Sequence, residues 1–81
     1  MFYTYILISE KDGKYYYGSC SDLELRLKQH NAGKVRSTKG RRPLRIHYSE
    51  EFLTKLEAVR RELFFKSIDG YLFLRASKII L

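Results

Sequence analysis

The sequence has too few cysteines and histidines to build a disulfide or a structural zinc site. Its one cysteine, Cys20, has no internal partner, and two histidines add too few ligands for four-coordinate zinc. Long apolar runs are also missing, and the residues after Met1 show no signal-peptide pattern. We therefore expect a cytoplasmic protein without a membrane span, and a length of 81 residues predicts one domain over residues 1–81.

Acidic residues are scarce beside basic ones. Nine Asp and Glu stand against sixteen Lys and Arg, which gives a formal net charge of +7. Such an excess favours polyanions, because bound cations release condensed counterions from them. Nucleic acid is therefore the first candidate partner, and a basic surface that serves only solubility is the alternative.

The N-terminal quarter of the chain predicts a β-hairpin. Phe2–Ser9 and Lys14–Ser19 are rich in aromatic and β-branched residues, and Asp12-Gly13 between them suits a two-residue turn. The two segments are therefore expected to pair as antiparallel strands.

A two-residue turn would set the register of this hairpin. It pairs Ser9 with Tyr16 and Tyr5 with Cys20, and paired residues point to the same face of a sheet. Tyr5, Tyr16 and Gly18 are then predicted to share one face.

The first helix is predicted from its ends. Ser21 and Glu24 form a capping box pattern, and Gly33 is a suitable C-terminal stop, so we expect a helix over about residues 22–32.

The second half of the chain predicts one strand and two helices. Leu44–Phe52 begins with the alternation of a strand, and the capping box pattern of Thr54 and Glu57 starts a helix that runs to about residue 66. Ile68-Asp69-Gly70 should break that helix before a last one over Tyr71–Ile80. The order β-β-α-β-α-α predicts a small α/β (α+β) domain with a mainly antiparallel sheet covered by helices.

Two polar residues lie on the apolar stripe of the first helix. Arg26 and His30 follow Leu23 and Leu27 at helical spacing, so they share the face that should pack on the sheet. They could line a cleft beside the tyrosine face. Alternatively, Arg26 extends to water and His30 is a hydrogen-bonded residue at the edge of the core.

Glu62 on the second helix lies in line with the apolar residues Ala58 and Phe65. It could bind a metal ion, or it could form an ordinary ion pair with a neighbouring cation such as Lys66. A nuclease needs a metal ligand, a cation for the phosphate and a group that takes a proton from water. Glu62, Arg26 and either Tyr16 or His30 could supply these three functions.

Several short motifs together resemble those of the GIY-YIG superfamily. Thr4-Tyr5-Ile6-Leu7 and Tyr16-Tyr17-Gly18 look like a degenerate form of its paired tyrosine motif. The likeness extends nearly end to end to the small single-domain bacterial GIY-YIG proteins. Six further stretches carry it: Asp22–Asn31, Gly33-Lys34-Val35, Ser37-Thr38-Lys39, Arg42-Pro43-Leu44, Glu57-Ala58 and Arg61-Glu62.

The resemblance implies a three-stranded antiparallel sheet flanked by helices and a phosphodiester-cleaving site that uses Mg²⁺ or Mn²⁺. It assigns charge stabilisation in the transition state to Arg26 and metal binding to Glu62, and His30 occupies a position that holds tyrosine or histidine. Tyr16 is implied to meet the attacking water, and Tyr5 to position water or phosphate.

The loop Gly33–Pro43 is rich in glycine and basic residues and has almost no apolar ones. We expect it to contact phosphates next to the catalytic cleft, with Gly18 of the motif also at the nucleic acid, and a mobile solvated loop is the alternative. The five cations concerned are Lys34, Arg36, Lys39, Arg41 and Arg42.

Two hypotheses follow for the function. The first is a monomeric, metal-dependent endonuclease of low sequence specificity, with DNA favoured over RNA as its substrate. The second is a nucleic-acid-binding module of the same fold with little or no hydrolytic activity. Larger nucleases of the superfamily often have an asparagine farther along the chain, and this sequence has Leu74 at that position.

Overall fold

Three antiparallel strands and three helices form the protein, in the predicted order and in the predicted α+β class. The structure is a computed structural model that describes residues 1–81. No helix in it combines the length and the apolar composition that crossing a bilayer requires. The elements are β1 (Phe2–Ser9), β2 (Tyr15–Cys20), α1 (Leu23–Asn31), a 3₁₀ turn (Lys39–Arg41), β3 (Leu44–Phe52), α2 (Lys55–Phe65) and α3 (Ile68–Ala76).

The sheet has the order β2-β1-β3, so β1 is central and β2 has one free edge. Tyr5 pairs with Gly18 and Leu7 with Tyr16, which is two residues away from the predicted register. A shift of two residues keeps every side chain on its face, because side chains alternate with a period of two. The prediction that Tyr5, Tyr16 and Gly18 share one face is therefore confirmed.

The two-residue hairpin turn was wrong, and side-chain hydrogen bonds explain the difference. The Ser9 hydroxyl accepts from the backbone N–H groups of Lys11, at 3.2 Å, and Asp12, at 3.3 Å. The Asp12 carboxylate accepts from Lys14 N at 2.9 Å, and Gly13 takes the positive φ of 71° that this wider turn requires. Ser9 N donates to Lys14 O and closes a four-residue loop.

Helix α1 begins one residue later than predicted. Asp22, not Ser21, is the N-cap, and its side chain accepts from Leu25 N at 3.1 Å. The predicted stop is confirmed. Gly33 has a φ of 77°, Gly33 N donates to His30 O, and Lys34 N donates to Gln29 O, which is the Schellman pattern.

Helix α3 begins earlier than predicted, because Gly70 is part of the helix and does not break the chain. Ser67 is the N-cap and accepts from Gly70 N at 3.0 Å. A Cβ atom at Gly70 would lie 1.7 Å from the carbonyl oxygen of Phe64. The glycine therefore permits close packing of α3 on the end of α2.

The helices cover opposite faces of the sheet. Tyr5, Leu7 and Leu44 form a small core beneath α1, where Leu23 and Leu27 pack against them. On the other face α2 and α3 cover a second core, which consists of Ile6, Phe65, Leu74 and Ile80. Each face therefore has its own helical layer, with the central strand β1 in both cores.

Gly70→Ala should destabilise the protein by roughly 1–3 kcal/mol, since α3 must move away from Phe64 to admit the methyl group. Gly40→Ala is the matched control, because no atom lies within 4 Å of its Cβ position. Urea unfolding of the two variants measures the difference. Equal stability of Gly70→Ala and Gly40→Ala would contradict the close approach.

Candidate active site

Tyr5 lies at the centre of the candidate site. Its side chain is 1% exposed, and its hydroxyl lies 3.0 Å from His30 Nε2. Arg26 Nε donates to the same oxygen at 3.5 Å. Burial raises the pKa of Tyr5 to about 12, so the phenol stays protonated at neutral pH. The role expected of Tyr5, to position water or phosphate, stays a prediction; in the structure its hydroxyl is buried between Arg26 and His30.

His30 projects inward from α1 and is fully buried. Its Nδ1 lies 2.7 Å from the hydroxyl of Thr38, so both ring nitrogens have partners. Burial, with a smaller effect of Arg26, lowers the pKa of His30 to about 4, and the ring is therefore neutral at pH 7. His30 is thus a hydrogen-bonded interior residue, which matches the second of the two interpretations of the polar residues on the stripe of α1. It has no exposed surface, so water outside the protein does not contact it.

Thr38 is a site residue that the sequence analysis missed. It is fully buried, although it lies in a loop of glycine and basic residues that indicated exposure. Its hydroxyl contacts His30 and also lies 3.4 Å from Val35 O, to which it donates. The sequence of the loop has no pattern that indicates an inward-facing hydroxyl, because the burial of Thr38 results from its tertiary contact with α1.

Gly18 is buried directly beneath the ring of Tyr5. A Cβ atom there would lie 2.4 Å from Cζ and from the hydroxyl oxygen of Tyr5. The glycine therefore leaves room for the tyrosine to reach His30. The contact with nucleic acid that we expected of Gly18 stays a prediction.

Tyr16 lies at the more open side of the same cluster. Its ring centroid is 5.1 Å from that of His30 and 6.5 Å from that of Tyr5. The side chain is half-buried, and its hydroxyl makes no hydrogen bond within the protein. Tyr16 is thus the tyrosine of the pair that retains a free polar group for an external molecule.

Arg26 connects the tyrosine cluster to a cleft of about 390 Å³. One guanidinium nitrogen donates to Gln29 Oε1 at 3.1 Å, and the hydrogen bond to Tyr5 raises the pKa of Arg26 further. The cation is therefore held in one orientation. Residues of α1, α2 and the end of β2 line the cleft, among them Ser19, Cys20, Arg26, Gln29, Lys55 and Ala58.

Cys20 is the last residue of β2. It is a free thiol on the wall of the cleft, and burial raises its pKa, which disfavours the reactive thiolate.

Glu62 does not contact the other four predicted catalytic residues. Its Oε1 accepts from the Ser19 hydroxyl at 2.8 Å, and its Oε2 accepts from Lys66 Nζ at 2.7 Å. Ser19 pairs with Thr4, whose hydroxyl donates to Ala58 O of α2, so Glu62 lies on the sheet face opposite Tyr5. The structure thus brings Tyr5, Tyr16, Arg26 and His30 together.

The free edge of β2 is where the two faces meet. Ser19, which holds Glu62, also lines the cleft that Arg26 enters from α1. Ala58, one helical turn before Glu62, lines the cleft from α2. A molecule in the cleft therefore lies between the helix that carries the arginine and the helix that carries the glutamate.

The donors around Glu62 can be compared with what a divalent metal needs. No group of three His, Cys, Asp or Glu residues lies close enough to hold an ion by itself. One carboxylate with the neighbouring Ser19 hydroxyl is nevertheless an all-oxygen set, and Mg²⁺ is commonly held by one or two carboxylates with substrate phosphates and water. These residues therefore fit a metal ion that is also coordinated by substrate phosphate. Binding of such an ion requires the ion pair between Lys66 and Glu62 to open.

The cations of the basic loop differ from one another in their contacts. Arg41 donates to Tyr15 O at 3.2 Å, and its Nε lies 3.4 Å from Asp12 Oδ2. Lys34 and Arg36 are exposed. Lys39 and Arg42 line a second depression, apart from the cleft beside which we expected them.

The lowered pKa of His30 predicts a loss of stability in acid. Between about pH 6.5 and pH 4 the unfolded histidine binds a proton that the folded one excludes. The stabilisation is complete above about pH 6.5 and is lost as the pH falls towards 4, by about 3 kcal/mol in all. Urea unfolding at a series of pH values measures this slope.

His30→Gln should have a flatter pH dependence over the same window, whatever its absolute stability. His47→Gln is the control, since His47 is exposed and lies outside the cluster, and it should keep the wild-type slope. A His30→Gln slope as steep as that of the wild type would rule out this role of the buried ring.

Comparison with known protein families gives a match to the GIY-YIG catalytic domain over residues 1–69. Related proteins carry the name UPF0213. One from Bacillus licheniformis is 45% identical over 68 residues, which cover 83% of this chain and 69% of the relative. The UPF0213 protein YazA of Bacillus subtilis is 40% identical over 65 residues, which cover 79% of this chain and 66% of YazA. The chain thus spans about two thirds of the length of both Bacillus proteins.

A solved structure supports the same assignment of the fold. The solution NMR structure of the UPF0213 protein BH0048 from Bacillus halodurans matches with a TM-score of 0.55 and 38% identity. The match covers 96% of this chain and 86% of that protein. It extends past residue 69 and so includes helix α3 as well.

Proposed function

The chain belongs to the GIY-YIG family, and on that premise we propose that it is an endonuclease that hydrolyses phosphodiester bonds with a divalent metal ion. The family implies a nuclease-type function. The observation that carries the proposal is the cleft at the edge of β2, whose lining includes both Arg26 of α1 and Ser19, which is hydrogen-bonded to Glu62.

Arg26 is proposed to stabilise the charge that builds up on phosphate in the transition state. Its orientation is set in advance by Tyr5 and Gln29, so little reorganisation is needed when substrate arrives. His30 holds the Tyr5 hydroxyl from the other side, and being neutral it adds no competing cation. Tyr5 and His30 therefore act on the substrate through Arg26.

Tyr16 is proposed to align the attacking water. Its hydroxyl has no partner in the protein, whereas the hydroxyl of Tyr5 is buried and bonded to two neighbours. A general base must come within hydrogen-bond reach of the proton it takes. Of the cluster residues, Tyr16 fits this condition and the buried His30 does not.

Glu62 is proposed to hold Mg²⁺ or Mn²⁺, with the Ser19 hydroxyl fixing the carboxylate. When bound, such an ion neutralises phosphate charge and acts as a Lewis acid. Lys66 pairs with Glu62 in the free protein and keeps the carboxylate compensated until then.

The substrate is proposed to be nucleic acid with little sequence preference, with DNA favoured over RNA. The net charge of +7 and the exposed loop cations Lys34, Arg36, Lys39 and Arg42 support backbone contacts, which carry no base information. We also propose that the protein acts as a monomer in the cytoplasm; the single free cysteine is compatible with a reducing compartment.

Nicking of supercoiled plasmid tests the enzymatic proposal. Arg26→Ala and Glu62→Ala should each lower the rate by about 100-fold or more, because each removes a group that acts on the transition state. Cleavage should need Mg²⁺ or Mn²⁺ and stop in EDTA. Arg60→Ala and Glu51→Ala are matched controls, since both residues are exposed and lie outside the site.

Retention of wild-type activity in Glu62→Ala, or cleavage that survives EDTA, would refute the proposed metal site. Circular dichroism of each variant must first show an intact fold.

One observation favours the second candidate, a binding module without hydrolysis. Glu62 is paired with Lys66 and is the sole carboxylate of its site, so the metal has few protein ligands. This hypothesis predicts DNA binding by wild type and Glu62→Ala alike, with no nicking by either. Fluorescence anisotropy with labelled DNA in EDTA measures binding, which both hypotheses predict. Restoring the metal distinguishes them, because only the nuclease then nicks the DNA.

A further inference from the structure

Three basic side chains share a depression far from the cleft. It has a volume of about 470 Å³ and no hydrophobic residue in its wall. Lys11 comes from the hairpin turn, and Lys39 and Arg42 come from the segment around the 3₁₀ turn. Asn31, Gly40 and Pro43 complete the lining.

None of these three cations is paired with a carboxylate. The four ion pairs of the protein engage Arg41, Arg45, Arg61 and Lys66. The acidic residues nearest in sequence to Lys11 are already occupied, Glu10 by Arg45 and Asp12 by Arg41. The depression therefore carries uncompensated positive charge, which an anion would relieve.

Two of the three cations are also held in place by the backbone. Lys11 Nζ donates to Gly40 O at 3.3 Å, and Arg42 Nε donates to Lys39 O at 2.8 Å, which leaves the other Arg42 nitrogens free. The 3₁₀ turn itself is anchored, because Ser9 Oγ donates to Arg41 O at 2.6 Å. An anion would enter a site whose donors are largely preorganised.

The depression and the cleft lie at opposite ends of β1. Phe2, the first residue of the strand, lines the cleft, whereas Ser9, the last, anchors the segment that carries Lys39 and Arg42. The seven steps between the eight residues of β1, at about 3.3 Å each, place the two ends roughly 23 Å apart. A duplex rises about 3.4 Å per base pair, so about seven base pairs are needed to span this distance.

We propose that the depression formed by Lys11, Lys39 and Arg42 is a second phosphate-binding site, which takes a backbone phosphate of a nucleic acid that also occupies the cleft at the other end of β1. The proposal rests on the proposed function for its choice of nucleic acid as the ligand. The site adds affinity and orients the duplex along β1, and it has no part in the chemical step.

The experiment compares two triple variants of equal charge. Lys11→Gln, Lys39→Gln and Arg42→Gln remove the depression, and the control replaces three exposed cations elsewhere, Lys28, Arg60 and Lys78, by Gln. Binding is measured by fluorescence anisotropy in EDTA, so that no cleavage occurs. The probes are a duplex of about 20 base pairs and a hairpin with a stem of about 4 base pairs, which at 3.4 Å per pair is too short to reach both sites.

The depression variant should bind the long duplex at least about 10-fold more weakly than the control variant, and the slope of log K against log salt should fall by about 1 or more relative to the control. Both triple variants should bind the short hairpin equally, since it occupies one site at a time. Equal affinity of the two variants for the long duplex would overturn the proposal.

Inorganic phosphate separates a nucleic-acid site from a site for a free anion. NMR shifts of the Gly40 and Arg42 amides report its binding directly. If phosphate binds there but the depression variant holds long DNA as the control does, the site serves a free anion and the proposal fails. These measurements need neither metal nor Glu62, so their outcome does not depend on the outcome of the nicking assay.

Discussion

The hydrogen bonds of the Tyr5 hydroxyl connect the buried core of this protein to the arginine that lines the cleft. This hydroxyl lies on the central strand, contacts His30 Nε2, and accepts a hydrogen bond from Arg26, while His30 contacts Thr38 through its other nitrogen. Burying such polar groups costs several kcal/mol unless every one of them is paired. The chain of contacts therefore couples β1, α1 and the basic loop, and movement of one member leaves a buried partner unsatisfied.

The same constraint explains residues that have no chemistry of their own. Gly18 is small because the Tyr5 ring crosses directly above it, and Thr38 is polar because His30 needs a second partner. Ser19 plays the corresponding role on the opposite face, where its hydroxyl orients Glu62. Each proposed contact with substrate thus depends on a neighbouring residue that holds the side chain in place.

The edge strand β2 determines how the site can work. Arg26 and Glu62 approach it from helices on opposite faces, so neither face alone contains both side chains. The cleft lies between these two helices. Helices cover both faces of the sheet, and unpaired cations lie at the surface near the hairpin turn, at the other end of β1 from the cleft.

Local signals were sufficient for much of the fold. The capping box at Thr54, the stop at Gly33, the strand Leu44–Phe52 and the face shared by Tyr5 and Tyr16 were all predicted from neighbouring residues and were confirmed. The misses have a common origin. The hairpin register depended on the Ser9 hydroxyl, and the start of α3 depended on the space between Gly70 and Phe64, which appears only after α2 and α3 pack.

The sequence by itself determined which residues share a helix face or a strand face, because 3.6-residue and two-residue periods are local properties. It therefore placed Arg26 with His30 and Tyr5 with Tyr16. Only the tertiary structure decided that Glu62 lies across the sheet from them, that Thr38 turns inward, and that Lys11 joins Lys39 and Arg42. The periodicity of the sequence specifies which residues share a face of one helix or strand. Which other element packs on that face depends on contacts between residues that are distant in the chain.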